Sequence, residues 1–184
     1  MNLTNHFLIA MPSLDDPNFT RTVTYLCSHD DGGAMGLVIN RPMDMQLGEV
    51  FSQMGIEDVA DDAARMPVLQ GGPVLTERGF VLHRPTSDWD AVMAVQGSSL
   101  AVATSRDILQ ALAAGDGPRD AVVALGYAGW GAGQLERELQ DNAWLSVPAD
   151  EDIIFELPFE KRWETAARAL GVDLDLLSGQ VGHA

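Results

Sequence analysis

The sequence has little that reacts and little that is basic. Its 184 residues include one cysteine, Cys27, so no disulfide framework or cysteine-built zinc site can form within the chain. Only 11 residues are Lys or Arg, against 27 Asp and Glu, and the formal net charge is −16. Nucleic-acid binding depends on cations that neutralise phosphates, and Lys161-Arg162 is the one adjacent basic pair. Direct nucleic-acid binding is therefore not expected; an acidic surface of this kind reads first as a solvated face, with a docking surface for a basic partner as the alternative. Long apolar runs are missing too. None approaches the ~20 residues that span a bilayer, so no membrane partner is expected. No basic stretch precedes an apolar core at the N-terminus, which makes the cytoplasm the expected location. His6, His29, His83 and His183 are scattered, with no pair four residues apart. Asp30-Asp31-Gly32 lacks the spaced oxygens and distal Glu of a calcium loop. Neither a metal nor a cofactor is expected.

What is present is patterned. Phe7-Leu8-Ile9-Ala10-Met11 reads as a buried strand, and Pro12 and Asp15-Asp16-Pro17-Asn18 as a loop. Thr22 to Cys27 alternates, Asp30-Asp31-Gly32-Gly33 supplies a turn, and Gly36 to Asn40 returns, which predicts a hairpin. Asp44 is placed to cap a helix carrying Leu47, Val50, Phe51 and Met54, with Gly55 at its exit. Met43, Met45, Met54 and Met66 read as packing residues. The acidic 57–66 stretch reads as an exposed connection, free to move. Val68-Leu69, Phe80 to His83, Trp89 to Val95 and Leu100 to Thr104 are expected strands. Ser105 opens a helix with Ile108, Leu109 and Leu112 inward, and Gly115 closes it. Trp144-Leu145 and Ile153-Ile154-Phe155 are further expected strands. Phe159 to Leu170 is a helix with Trp163, Ala166, Ala167 and Leu170 inward, and the 172–184 tail is expected to fray.

The stretch with most at stake is Gly126-Tyr127-Ala128-Gly129-Trp130-Gly131-Ala132-Gly133. It follows the apolar run Ala121 to Leu125 and precedes Gln134-Leu135-Glu136-Arg137-Glu138-Leu139. The order reads strand, glycine loop, helix, which is where phosphates bind in many proteins. The spacing matches neither the dinucleotide fingerprint nor the P-loop, and Glu136 and Glu138 already complement the helix start. The expectation is structural: backbone that approaches another chain segment closely, with Trp130 packed rather than exposed.

Together these predict an α+β fold: a large mixed, mostly antiparallel sheet with helices packed on it, in a single compact domain over residues 1–184. At this length roughly 70% of the unfolded surface is buried on folding, enough for a sizeable core.

Five ordered blocks carry a family resemblance. They are Leu8-Ile9-Ala10-Met11-Pro12 with Asp16-Pro17-Asn18-Phe19; Gly36-Leu37-Val38-Ile39-Asn40-Arg41-Pro42; Gly71-Gly72-Pro73-Val74; Gly79-Phe80-Val81-Leu82-His83; and Gly126 to Trp130 with Gln134 to Leu139 and Trp144. On these the chain resembles the YqgE/AlgH family of small bacterial proteins, from about Asn5 to about Gly171. The resemblance implies an α+β fold on a large mixed sheet. Members are often labelled transcriptional regulators, after a proposed role in alginate expression in pseudomonads. It carries over no catalytic residue set. The expected function is regulation through protein contacts, non-enzymatic, with any effect on transcription indirect.

A second reading is a cleft for a small anion, or an unrecognised hydrolase. It draws on polar and glycine positions in the blocks: Asp16, Asn40, Arg41, Gly71, Gly72, His83, Trp130 and Gln134. A bidentate Arg beside open backbone N–H groups suits a carboxylate or phosphate. Cys27-Ser28-His29 would place a thiol and an imidazole on one strand face, ~7 Å apart, too far for a nucleophile and its base.

Overall fold

The computed structural model describes residues 1–174 and 176–177. In chain order the elements are β1 (His6–Ala10), β2 (Val23–Asp30), β3 (Gly33–Val38), β4 (Pro42–Gln46), α1 (Leu47–Gln53), α2 (Asp61–Ala64) and β5 (Pro67–Gln70). There follow β6 (Val74–His83), β7 (Val92–Ala94), β8 (Ala101–Ala103), α3 (Arg106–Ala114), β9 (Ala121–Gly131), α4 (Gln134–Gln140), β10 (Trp144–Pro148), α5 (Glu151–Phe155) and α6 (Phe159–Arg168). One ten-stranded sheet runs β10-β1-β2-β3-β9-β6-β8-β7, with β4 and β5 branching from it. All its pairings are antiparallel except β5 with β9. The sheet curls, so that Asn5 Nδ2, beside β1, donates to Gly97 O in the β7–β8 turn at 3.2 Å.

β9 organises the sheet. Its first half, from Val123 to Leu125, lies between β5 and β6; its second half, from Ala128 to Gly131, pairs with β3. The change of neighbour happens where two glycine segments touch. Gly126 takes φ +78°, and a Cβ there would lie 2.4 Å from Gly72 O. A Cβ on Gly71 would lie 2.3 Å from Gly126 O. Gly71 N–H donates to Leu125 O, and Gly71 O accepts from Val38 N–H, each at 2.9 Å. Only residues without side chains fit this crossing. The expected glycine loop is thus mostly strand, and the glycines after Leu125 let β9 bend and continue rather than end.

Three cores follow from the curl. The first packs Phe7, Tyr25, Ile39, Leu82 and Ala124 under α5 and α6, whose Ile154, Trp163 and Ala166 are buried. The second packs Val81, Ala103 and Val123 under α1, α2 and α3. The third joins Leu8, Leu26 and Ala128 to Trp130, Trp144 and Leu135 of α4.

The hairpin, α3 with its left-handed Gly115 stop, and α6 form as expected. Other elements differ. Residues 42–46 form a further strand, so the helix starts two residues later than expected, with Gln46, not Asp44, before α1. Gln46 and Glu49 satisfy each other's backbone there as a capping box. Ile153-Ile154-Phe155 lies in α5, because Asp150 accepts from Asp152 N–H at the helix start. Leu170 is 42% exposed instead of buried. The 57–66 segment contains α2, with Ala63 buried and Ala60 N–H donating to Ala113 O at 2.8 Å. Of the 172–184 tail, Leu174 is buried in the first core, while residues 175 and 178–184 lie outside the described residues.

Candidate functional site

The polar residues singled out in the sequence fall into separate places. Asp16, Asn40 and Arg41 meet around the loop between β1 and β2. Asn40 Oδ1 accepts from Val23 N–H and its Nδ2 donates to Arg21 O, each at 2.9 Å. Arg41 donates to Asn18 O at 2.6 Å and Thr20 O at 2.9 Å. Asp16 accepts from Asn18 N–H at 2.9 Å. Partial burial lowers the Arg41 pKa, and nearby Asp16 opposes the change. All three side chains are engaged in holding the loop. Gly71 and Gly72 sit in the sheet against Gly126. Gln134 accepts from Gly131 N–H at 3.0 Å and closes the turn into α4. Trp130 stacks on Phe19 at 6.0 Å and meets Trp144 edge-on at 6.0 Å.

His83 is remote from Arg41. Gln70, whose N–H donates to Arg41 O, is level with Leu125, whereas His83 is level with Ala121. Four strand steps, roughly 13 Å, lie between them along β9. His83 is fully buried; Nδ1 donates to Val81 O at 3.0 Å, and Nε2 has no partner. Burial holds its pKa below the ordinary histidine value, with the Val81 contact opposing. The unfolded chain therefore binds the proton first, and His83's contribution is complete above about pH 6.5 and is lost as pH falls. We expect an acid-side slope of up to about 1.4 kcal/mol per pH unit, one proton's worth, as pH falls below about 6.5. Chemical denaturation across that range should show it in wild type and not in His83→Leu. Equal slopes would contradict it.

The Cys27 and His29 pairing is excluded by a register shift. A bulge between Leu26 and Ser28 interrupts the alternation, leaving Cys27 in the first core and turning His29 toward α4. Burial pushes the Cys27 thiol up to about 12, so it stays protonated at neutral pH. His29 Nδ1 accepts from Leu3 N–H at 2.9 Å, and Nε2 donates to Glu136 Oε1 at 2.6 Å. Both ring nitrogens are used, so no lone pair is left to act as a base. The carboxylate–imidazole pair ties α4 to β2. Glu138, on the same helix, has its pKa raised by burial, with the indoles of Trp144 and Trp130 pulling the other way.

The feature most open to a ligand is not among the sites expected from the sequence. It is a groove of about 890 Å³ on the sheet face that α5 and α6 leave uncovered. Met35 of β3, Phe80 of β6, Val102 of β8 and Tyr127 and Trp130 of β9 line it, with Val92 and Met93 of β7. Phe80 and Tyr127 meet edge-on at 5.6 Å. Of the eight residues proposed from the sequence, Trp130 alone lines it. One wall is irregular. Val74 pairs with Tyr127, but the next pair is Gly79 with Leu125, so three extra residues of β6 bulge outward. Leu75 in that bulge has φ +48°, rare for a branched side chain, and is 54% exposed. Val92 and Met93, on the opposite wall, are 48% and 38% exposed. Backbone strain clusters at binding and active sites, and a contiguous exposed aliphatic patch is a feature of interaction surfaces. Arg78, Asp90, Thr104 and Tyr127 supply the charged and hydroxyl side chains in the lining, and Arg78 donates to Thr104 Oγ1 at 3.4 Å. A sequence signal did exist: Val74-Leu75-Thr76-Glu77-Arg78 breaks strand alternation just after a glycine turn.

Fold and site define a class: an α+β protein on one curled, mostly antiparallel sheet, carrying an open apolar groove. The chain belongs to the AlgH-like family, whose model matches residues 7–175. It is 59% identical over 183 residues to a UPF0301 protein of Thioalkalivibrio sulfidiphilus, covering 100% of this chain and 97% of that one. A UPF0301 protein of Nitrosococcus oceani is 52% identical over 180 residues, covering 98% and 96%. Among solved structures, the solution structure of the AlgH protein from Pseudomonas aeruginosa matches with TM-score 0.82 at 51% identity, covering 100% of this chain and 97% of that one. The crystal structure of protein DIP2367 from Corynebacterium diphtheriae shares the fold, with TM-score 0.71 at 19% identity over 96% and 91%. No helix among the described residues is long and apolar enough to cross a membrane.

Proposed function

We propose that this is a non-catalytic regulatory protein that acts through protein contacts made at the groove. The observation that carries the reading is the lining: exposed aliphatic side chains on two walls of one open surface, with one Arg, one Asp, one Thr and one Tyr and neither His nor Cys. That composition suits desolvation against another protein more than proton transfer or nucleophilic attack. The net charge of −16 supports an indirect route to any effect on transcription, because the overall field repels DNA. The small-anion reading is less well supported, since Asp16, Asn40 and Arg41 are engaged by the β1–β2 loop and His83 lies roughly 13 Å away along the sheet.

The test is affinity capture from lysate with wild type and Leu75→Asp. Leu75 is exposed and contributes no core packing, so the charge should leave the fold intact. The expected result is a specific partner held by wild type at low salt and lost by at least about tenfold in the variant, a difference of about 1.4 kcal/mol. Equal capture by both proteins, or a salt-sensitive shift of duplex DNA by wild type, would count against the reading.

A further inference from the structure

β7 ends the sheet, and the groove runs beside it. Val95 N–H donates to Leu100 O, and Thr104 N–H to Ala91 O, while Met93 is opposite Val102. Residues 91, 93 and 95 therefore turn their main chain toward β8. By the alternation of an antiparallel ladder, the N–H and C=O groups of Val92 and Ala94 point outward, away from the sheet. Of the devices that blunt native edges, residues 90–95 contain no proline, lysine or bulge; shortness is the one present, β7 being 3 residues long. Met93 shares a face with Val102, so its side chain reaches the groove while the main chain beside it remains open.

Charge narrows the occupant. Asp88 and Asp90 are exposed at one end of β7, and Asp30 and Asp31 are exposed next to the strand that brings Ala34 into the lining. Arg78 is the one base in the lining and makes no ion pair among the described residues, so it can donate to a main-chain carbonyl. A second copy of the chain would bring the same acidic flanks and a further −16. We propose that the β7 edge and the groove together bind an extended segment of a partner protein, with basic flanks and alternate apolar side chains. The segment adds a strand beside Val92–Ala94 and turns every second side chain into the groove next to Met93. Main-chain hydrogen bonds supply affinity, and the groove and the acidic flanks supply specificity. This rests on the protein-contact reading and gives it a location and a ligand chemistry.

The probe is an end-capped heptapeptide of alternating lysine and valine, titrated into the full-length ¹⁵N-labelled protein. Its control replaces every lysine with glutamate. We expect saturable shifts confined to Val92, Ala94, Met35, Phe80 and Tyr127 with the basic peptide alone. Ala94→Pro removes an outward N–H and leaves the β8 ladder untouched, since edge strands accept proline on their solvent side. Met93→Lys tests the same site without altering the main chain, and decides the matter should the proline variant not fold. Each should raise Kd by at least about tenfold. Binding unchanged in both variants, shifts elsewhere, equal binding of the acidic peptide or no binding at all would overturn the proposal. So would dodecanoate filling the groove while the peptide leaves it empty, or dimerisation through β7. Failure here is separable from failure of the wider reading. A partner captured equally by wild type and Met93→Lys removes the groove and keeps protein contact; no partner for wild type removes both.

Discussion

Gly126→Ala should be among the most damaging single-methyl changes in the chain. Two costs coincide there. The residue is left-handed, at φ +78°, where an alanine costs about 1–2 kcal/mol. The added Cβ would also lie 2.4 Å from Gly72 O and 3.1 Å from Val74 O, both main-chain atoms of the facing segments. Neither can rotate away as a side-chain tip would, so strand β6 or the Gly71-Gly72 turn must shift. Overpacking of that kind costs about 1–3 kcal/mol, giving a total of about 2–5 kcal/mol. For a domain this size the midpoint of thermal unfolding should fall by on the order of 10 °C. Gly97→Ala is the control. It is also left-handed, at φ +80°, but a Cβ there meets nothing within 4 Å. Its loss should stop near the backbone cost alone. Equal losses at the two positions would mean that the crossing beneath β9 is not close-packed.

Trp130→Ala should cost about 3–5 kcal/mol, as large aromatic truncations in cores do. Trp130 is 6% exposed and lies between Phe19 and Trp144, whose own rings meet edge-on at 5.4 Å. Removing the indole opens a cavity bounded by β9, α4 and the β1–β2 loop. Each of those depends on long-range contacts that cannot close over it. Trp130→Phe should recover a substantial part, because the stack on Phe19 survives. Urea unfolding followed by far-UV dichroism measures both variants. A Trp130→Ala loss below about 1 kcal/mol would show that the indole serves a ligand rather than the third core.

These two residues also show how far local sequence can be read. The hairpin of β2 and β3 was legible because alternation and a glycine turn are local signals. So was α3, with Ser105 before it and Gly115 after it. Strand β9 was misread beyond Leu125, because glycines there are required by Gly71-Gly72, more than fifty positions earlier in the chain. Nothing within the local stretch distinguishes a glycine that frees a loop from one that admits a neighbouring backbone. Met43 and Met45 belonged to a period of two, but the helix pattern starting at Leu47 overlapped them. Ile153-Ile154-Phe155 is too short to decide by periodicity, and the Asp150 cap decided it.

The site was harder to read for a related reason. Asn40 and Arg41 are conspicuous as polar residues beside a strand end, yet their partners are main-chain groups of the loop from Asn18 to Val23. The groove is made of ordinary strand residues. Phe80 and Val102 look like core in the sequence and are buried in the first core, with Tyr127 half-buried beside them; the groove lies over their outer edge, where α5 and α6 stop. Exposure of an apolar surface depends on where helices stop, and that is a property of the whole fold.

Site-specific photo-crosslinking in cells tests the central claim most directly. A benzophenone side chain is placed at Met93, on the groove wall, or at Gln70, an exposed position beside the Arg41 cluster. The account predicts a discrete protein adduct from position 93 and none from position 70. An adduct from position 70 with none from position 93 would contradict it.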